Sequence, residues 1–75
     1  MSKFTINFAG KDEIAKTDSL DKAKQIAVGL LQAKGFKDNQ IDYDYISDRA
    51  TGVEGWDGKN YGLIMIYDLT YYVNL

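Results

Sequence analysis

The sequence predicts a small α+β domain in which one helix packs on one face of an antiparallel sheet of about four strands, in the order β-β-α-β-β. Apolar residues alternate with polar ones near both ends of the chain, as strands require, and a single segment between them has apolar residues three and four apart. The 75 residues suffice for one core. We therefore expect residues 1–75 to form a single domain.

The first two strands are predicted from alternation followed by a glycine turn. Phe4, Ile6 and Phe8 are separated by single polar residues, a pattern typical of a strand with one buried face. Gly10 then supplies a turn, after which residues 13–17 can return as a second strand.

A helix is predicted from about residue 19 to residue 34. Ser19 can accept a hydrogen bond from an amide of the first turn, and Gly35 suits the left-handed position beyond the last turn, with Phe36 folding back behind it. The apolar stripe that should face the sheet consists of Leu20, Ala23, Ile26, Ala27, Leu30 and Leu31.

A third strand follows, and then a segment of different character. Ile41, Tyr43 and Tyr45 alternate with aspartates, which predicts a strand with an acidic outer face. Residues 47–60 carry a glycine at every third position from 52 to 58 among polar residues, and this composition favours a long, mobile connection.

The last predicted strand, Tyr61–Leu75, is the most apolar part of the chain. Its odd-numbered row is apolar or aromatic throughout and is expected to face the helix, which places Ile64, Ile66 and Tyr72 on the outer face. Fifteen residues exceed the usual length of a strand, so a bend or a break is expected near Asp68.

Composition excludes several kinds of chemistry. The chain has no cysteine and no histidine, so disulfides, zinc fingers and histidine-based catalytic triads are excluded. Asp42, Asp44, Asp48 and Asp57 lack the spacing and the glycine of a calcium loop, and alternation on an exposed strand explains the first two. We expect no enzyme, no cofactor and no metal.

Charge and hydropathy limit the kinds of partner that the sequence allows. The net charge of −2 argues against a general surface for nucleic acid, which needs clustered lysine and arginine. No run approaches the roughly 18 apolar residues of a membrane span, and residues 1–9 lack the apolar core of a signal peptide. The sequence therefore predicts a cytoplasmic protein without a membrane partner.

Protein binding is the function that the sequence favours. Trp56 is interpreted either as a lid over the core or as an exposed anchor with Arg49 nearby, and Ile64, Ile66 and Tyr72 are expected to meet a protein partner or a second copy. The alternative is a nucleic-acid-associated protein that uses its lysine-rich N-terminal half and its tyrosines. In size and acidity, though in no motif, the chain resembles the inhibitory or accessory proteins carried by phages and mobile elements.

Overall fold

A computed structural model describes residues 3–70 and confirms the α+β class. The elements are β1 (Phe4–Phe8), β2 (Glu13–Thr17), α1 (Leu20–Ala33), a 3-10 turn (Asp38–Gln40), β3 (Ile41–Ser47), β4 (Ala50–Trp56) and β5 (Tyr61–Asp68). The five strands form one antiparallel sheet in the order β2-β1-β5-β4-β3, and α1 packs on one face of it, the inner face. Within this range no helix is both long and apolar enough to cross a membrane.

Both ends of α1 are formed by the residues that the sequence predicts. Ser19 caps its start. Its C-terminal end closes with the two hydrogen bonds of a Schellman motif: Gly35 N–H donates to the carbonyl of Gln32 at 2.9 Å, and Phe36 N–H donates to the carbonyl of Leu31 at 3.2 Å. Gly35 has a φ of 106°, which only glycine adopts without strain. This closure turns the chain back and places Phe36 over the sheet.

The core lies between α1 and the inner face. Its buried side chains come from the helix, from Phe36 and from three strands of the sheet: Ile6, Ala23, Ala27, Leu31, Phe36, Val53, Ile64 and Ile66. Phe4 and Phe8 pack against this cluster, which confirms the predicted inward row of β1.

The predicted orientation of the last strand was wrong. Ile64 and Ile66 are fully buried in the core against α1, whereas Tyr61, Leu63, Met65 and Tyr67 lie on the outer face. The reason lies in Gly62, which belongs to the even row: the side chains of Leu31 and Phe36 approach within 3.1 and 3.3 Å of the position that a Cβ would occupy there. A glycine in that row makes room for the end of the helix, while Tyr61 and Tyr67 of the other row keep access to water.

The predicted connection at residues 47–60 was also wrong in its central part. Ala50–Trp56 forms β4, which pairs with β3 on one side and β5 on the other. Gly52 and Gly55 are buried because neighbouring side chains pack directly onto their backbone. Glycine inside a strand often marks such a close approach. The same glycines made this strand look like a loop in the sequence.

The break expected near Asp68 agrees with the end of β5. The Asp68 N–H donates to the carbonyl of Arg49 at 2.9 Å, and the next amide, of Leu69, donates to the carbonyl of Lys3. The remainder of the predicted strand, residues 71–75, lies outside the described residues.

Candidate functional site: the outer face of strands β3 to β5

The face opposite α1 carries a group of large exposed side chains. Residues paired across antiparallel strands share a face, so the pairs Trp56–Tyr61 and Glu54–Leu63 both lie on this outer face. We call the group formed by Ile46, Trp56, Tyr61 and Leu63 the outer patch. Within residues 3–70, α1 packs on the inner face and therefore does not cover this patch.

Trp56 and Tyr61 flank the tight turn between β4 and β5. The carboxylate of Asp57 accepts hydrogen bonds from the backbone amides of Lys59 and Asn60 at 2.8 and 2.6 Å, which holds the turn closed. Trp56 remains 55% exposed and Tyr61 58% exposed, and neither belongs to the core. Trp56 is therefore placed as an exposed side chain beside a second aromatic ring, and it does not cover the core.

Ile46 and Leu63 extend the patch towards the β3–β4 turn. The pairing of β3 with β4 shifts register between Tyr45 and Ser47, so Ile46 occupies a bulge. Its Cδ1 and the Cδ1 of Leu63 lie 3.3 and 3.4 Å from the position of a Cβ at Gly52. Both apolar side chains thus lie over Gly52, and Ile46 remains 48% exposed.

Carboxylates border the patch along one side. Asp42 is paired directly with Glu54 across the sheet, and Asp44 is paired with Gly52. No lysine or arginine occurs in strands β3, β4 or β5. The outer face of strands β3 to β5 is therefore apolar and aromatic in its middle and negatively charged along β3.

A hydrogen bond joins the patch to this acidic border. The Tyr61 hydroxyl donates to Glu54 Oε2 at 3.0 Å. That bond raises the pKa of Tyr61, with smaller contributions from desolvation and from the negative charges of Glu54 and Asp44. Ionisation of Tyr61 would remove its donor and set two negative groups side by side.

Glu54→Gln is expected to bring the pKa of Tyr61 down towards the ordinary tyrosine value. A pKa raised by folding means that the bond stabilises the folded state below the unfolded pKa and loses this effect as pH rises through the folded pKa. The measurement is an NMR titration of the Tyr61 ring carbon in both proteins. Tyr45, whose pKa is raised by its hydrogen bond to Asp48, is the internal control and should titrate alike in both. An unchanged Tyr61 titration in the variant would contradict the role of Glu54.

The structure separates the residues that the sequence grouped as partner contacts. Trp56 lies in the outer patch, and Arg49 lies in the exposed turn at the opposite end of β4. Ile64 and Ile66 are buried under α1 and offer no surface to a partner, which corrects their predicted exposure. Tyr72 lies outside the described residues. Among residues 3–70, no group of three acidic side chains is placed to hold a metal ion.

Sequence reasoning missed three members of the patch. Tyr61 and Leu63 were assigned to the buried row of the last strand, and Ile46 was not considered as a contact because the bulge that exposes it follows from the pairing with β4. One signal was available: Tyr61 opens a row of tyrosines, and tyrosine favours positions where its hydroxyl reaches water.

A groove of about 680 Å³ continues from the patch around the end of the sheet. It is lined by Phe8, Ala9, Lys11, Asp12, Lys34, Tyr61, Gly62 and Leu63. The Lys34 ammonium lies 4.7 Å from the centre of the Phe8 ring, so one wall of this groove is positive. A side chain projecting from a partner on the outer patch would have room here.

Comparison with known protein families, with curated proteins and with solved structures finds no match to this chain.

Proposed function

We propose that this protein is a cytoplasmic, non-enzymatic protein-binding module that holds a foreign protein on its outer patch. The observation that carries the proposal is the pair of exposed aromatic rings, Trp56 and Tyr61, on a sheet face that continues into the apolar side chains of Leu63 and Ile46. Tryptophan and tyrosine supply much of the binding energy in protein interfaces, where their flat rings fill pockets at a small entropic cost.

A foreign partner suits this face better than a second copy. Ile64 and Ile66, the residues through which the sequence suggested a homodimer, lie under α1 and cannot contact a second copy. A two-fold interface that sets the acidic border, Asp42, Asp44 and Glu54, against its own copy would bring like charges together. An inhibitory or accessory role of the kind found in phage proteins is compatible with such a partner and is part of the proposal.

The nucleic-acid alternative is less favoured. Sheets that bind single strands stack bases on aromatic rings within a basic groove. On this protein two exposed tyrosine hydroxyls donate to carboxylates, Tyr45 to Asp48 and Tyr61 to Glu54, and strands β3 to β5 contain no basic residue. Phosphates would be repelled from the same rings on which bases would stack.

Trp56→Ala is expected to abolish partner binding while leaving the melting temperature nearly unchanged, since the ring is mostly exposed and outside the core. The test uses the immobilised wild type and variant to capture proteins from a lysate of the source organism. The protein retained by the wild type alone is then purified and titrated into the isotope-labelled domain. Backbone amide shifts in β4 and β5 are expected to respond.

Lys22→Ala is the matched control, because Lys22 lies on the exposed side of α1, away from the outer face. It should capture the same protein as the wild type. Amide shifts confined to α1, or equal capture by the Trp56 variant, would refute the outer patch as the interface. Binding of a labelled oligonucleotide that weakens steeply with salt would instead support the nucleic-acid alternative.

A further inference from the structure

One edge of the sheet is open to another strand. Among residues 3–70, β3 pairs with β4 on one side and with nothing on the other. Its first five residues, Ile41 to Tyr45, run in regular register before the bulge. In an antiparallel ladder, every second residue of an edge strand directs its N–H and C=O groups outwards. These groups are available to an extended segment of another protein.

The opposite edge is less suited to this use. β2 has five residues, and its pairing with β1 shifts register between Ile6 and Asn7. Its exposed side chains include Glu13 and Lys16, whose charged groups lie 3.9 Å apart. Short length, irregular pairing and mixed charge are the features by which natural edge strands avoid new partners.

The side chains of β3 differ sharply between its two faces. Asp42 and Asp44 lie on the outer face beside Glu54, while Tyr43 and Tyr45 lie on the inner side and are 54% and 78% exposed. The Lys24 ammonium lies 5.2 Å from the centre of the Tyr43 ring, which shows that this ring can hold a cation. A strand added here would meet carboxylates on one face and aromatic rings on the other.

This pattern disfavours a second copy of the same strand. The antiparallel register that pairs the whole of β3 with itself, Ile41 against Ser47, sets Asp44 directly opposite Asp44 of the other copy. Like charges in directly opposed positions destabilise a ladder, whereas opposite charges stabilise it. The complementary occupant carries lysine or arginine at alternate positions, with apolar or aromatic residues between them.

We propose that the β3 edge binds an extended, basic segment of the partner protein as a sixth strand of the sheet. The inference rests on the protein-binding function proposed above, and it adds the chemical class and the conformation of the bound segment. Its basic side chains lie along Asp42 and Asp44, continuous with the acidic border of the outer patch. Its other face packs on Tyr43 and Tyr45.

The test uses a blocked eight-residue peptide in which lysine alternates with valine, and a second peptide with glutamate in place of lysine. NMR titration of the labelled domain should show amide shifts centred on residues 41–45 with the lysine peptide, and at least tenfold weaker binding of the glutamate peptide. The double variant Asp42→Lys/Asp44→Lys should reverse this preference. Glu13→Lys/Asp18→Lys, which makes the same charge change at exposed positions in and beside β2, should leave the preference as in the wild type.

Strand addition is separated from loose charge attraction by N-methylation. A lysine peptide methylated at every amide keeps its charge and loses the donors along both of its edges, so it should bind at least tenfold more weakly. Equal binding of the methylated and unmethylated peptides would overturn strand addition. If the captured partner depends on Trp56 but is indifferent to Asp42→Lys/Asp44→Lys, and the lysine peptide does not bind, this inference fails while the proposed function stands. Indifference to Trp56→Ala as well would reject both.

Discussion

Ile64→Lys is expected to unfold the domain. Ile64 is fully buried between α1 and the sheet, and its neighbours in the core are apolar, so a lysine there would have no partner for its charge. Burying an unpaired charge costs several kcal/mol, against a total stability of about 4–11 kcal/mol for a chain of this length. Far-ultraviolet circular dichroism and a urea titration would show the loss of cooperative unfolding.

Leu63→Lys is the matched control, one residue away on the opposite face of β5. Leu63 lies in the outer patch and is only partly buried, so the lysine stem can remain on the sheet while its ammonium reaches water. We expect this variant to fold, with a loss of about 1 kcal/mol or less. A folded Ile64 variant together with an unfolded Leu63 variant would reverse the assignment of the two faces.

These two substitutions address the point at which sequence reasoning failed. Both rows of β5 are apolar in its first half, so alternation alone leaves its orientation open. The orientation of β5 is decided by a non-local contact. The end of α1 places the Phe36 ring against the sheet, and Gly62, in the even row, has no side chain to obstruct it. Elements defined by local signals were predicted well, as the helix shows, since Ser19 and Gly35 mark its ends within the sequence itself.

The candidate site was predictable only in part, for the same reason. Trp56 could be chosen as a candidate because it is the single tryptophan, but the residues around it in the fold follow from β4 being a strand. With residues 50–56 interpreted as a loop, neither the Trp56–Tyr61 pair nor the position of Glu54 beside Asp42 could be foreseen. The acidic outer row of β3 was predicted correctly, because its alternation is complete within the strand.

Gly55→Ala is expected to destabilise the domain by about 1–3 kcal/mol, the usual range for overpacking a core. A Cβ at residue 55 would lie 2.7 Å from Cγ of the Phe36 ring, closer than any real contact allows. Phe36 is itself buried, 7% exposed, so it cannot move away without opening the core. The thermal midpoint should fall by roughly 4–8 °C for each kcal/mol in a domain of this size.

The same substitution at two other glycines should give different results. Gly52→Ala meets the tip of the exposed Ile46 side chain at 3.3 Å, which can shift, so its effect should be much smaller. Gly29→Ala lies on the exposed side of α1 with no atom within 4 Å of the new Cβ, and it should stabilise the domain by about 0.5–1 kcal/mol through helix propensity. Only the contact with Phe36 distinguishes Gly55 as a core position. Equal midpoints for the Gly52 and Gly55 variants would therefore disprove the packing of Phe36 on β4.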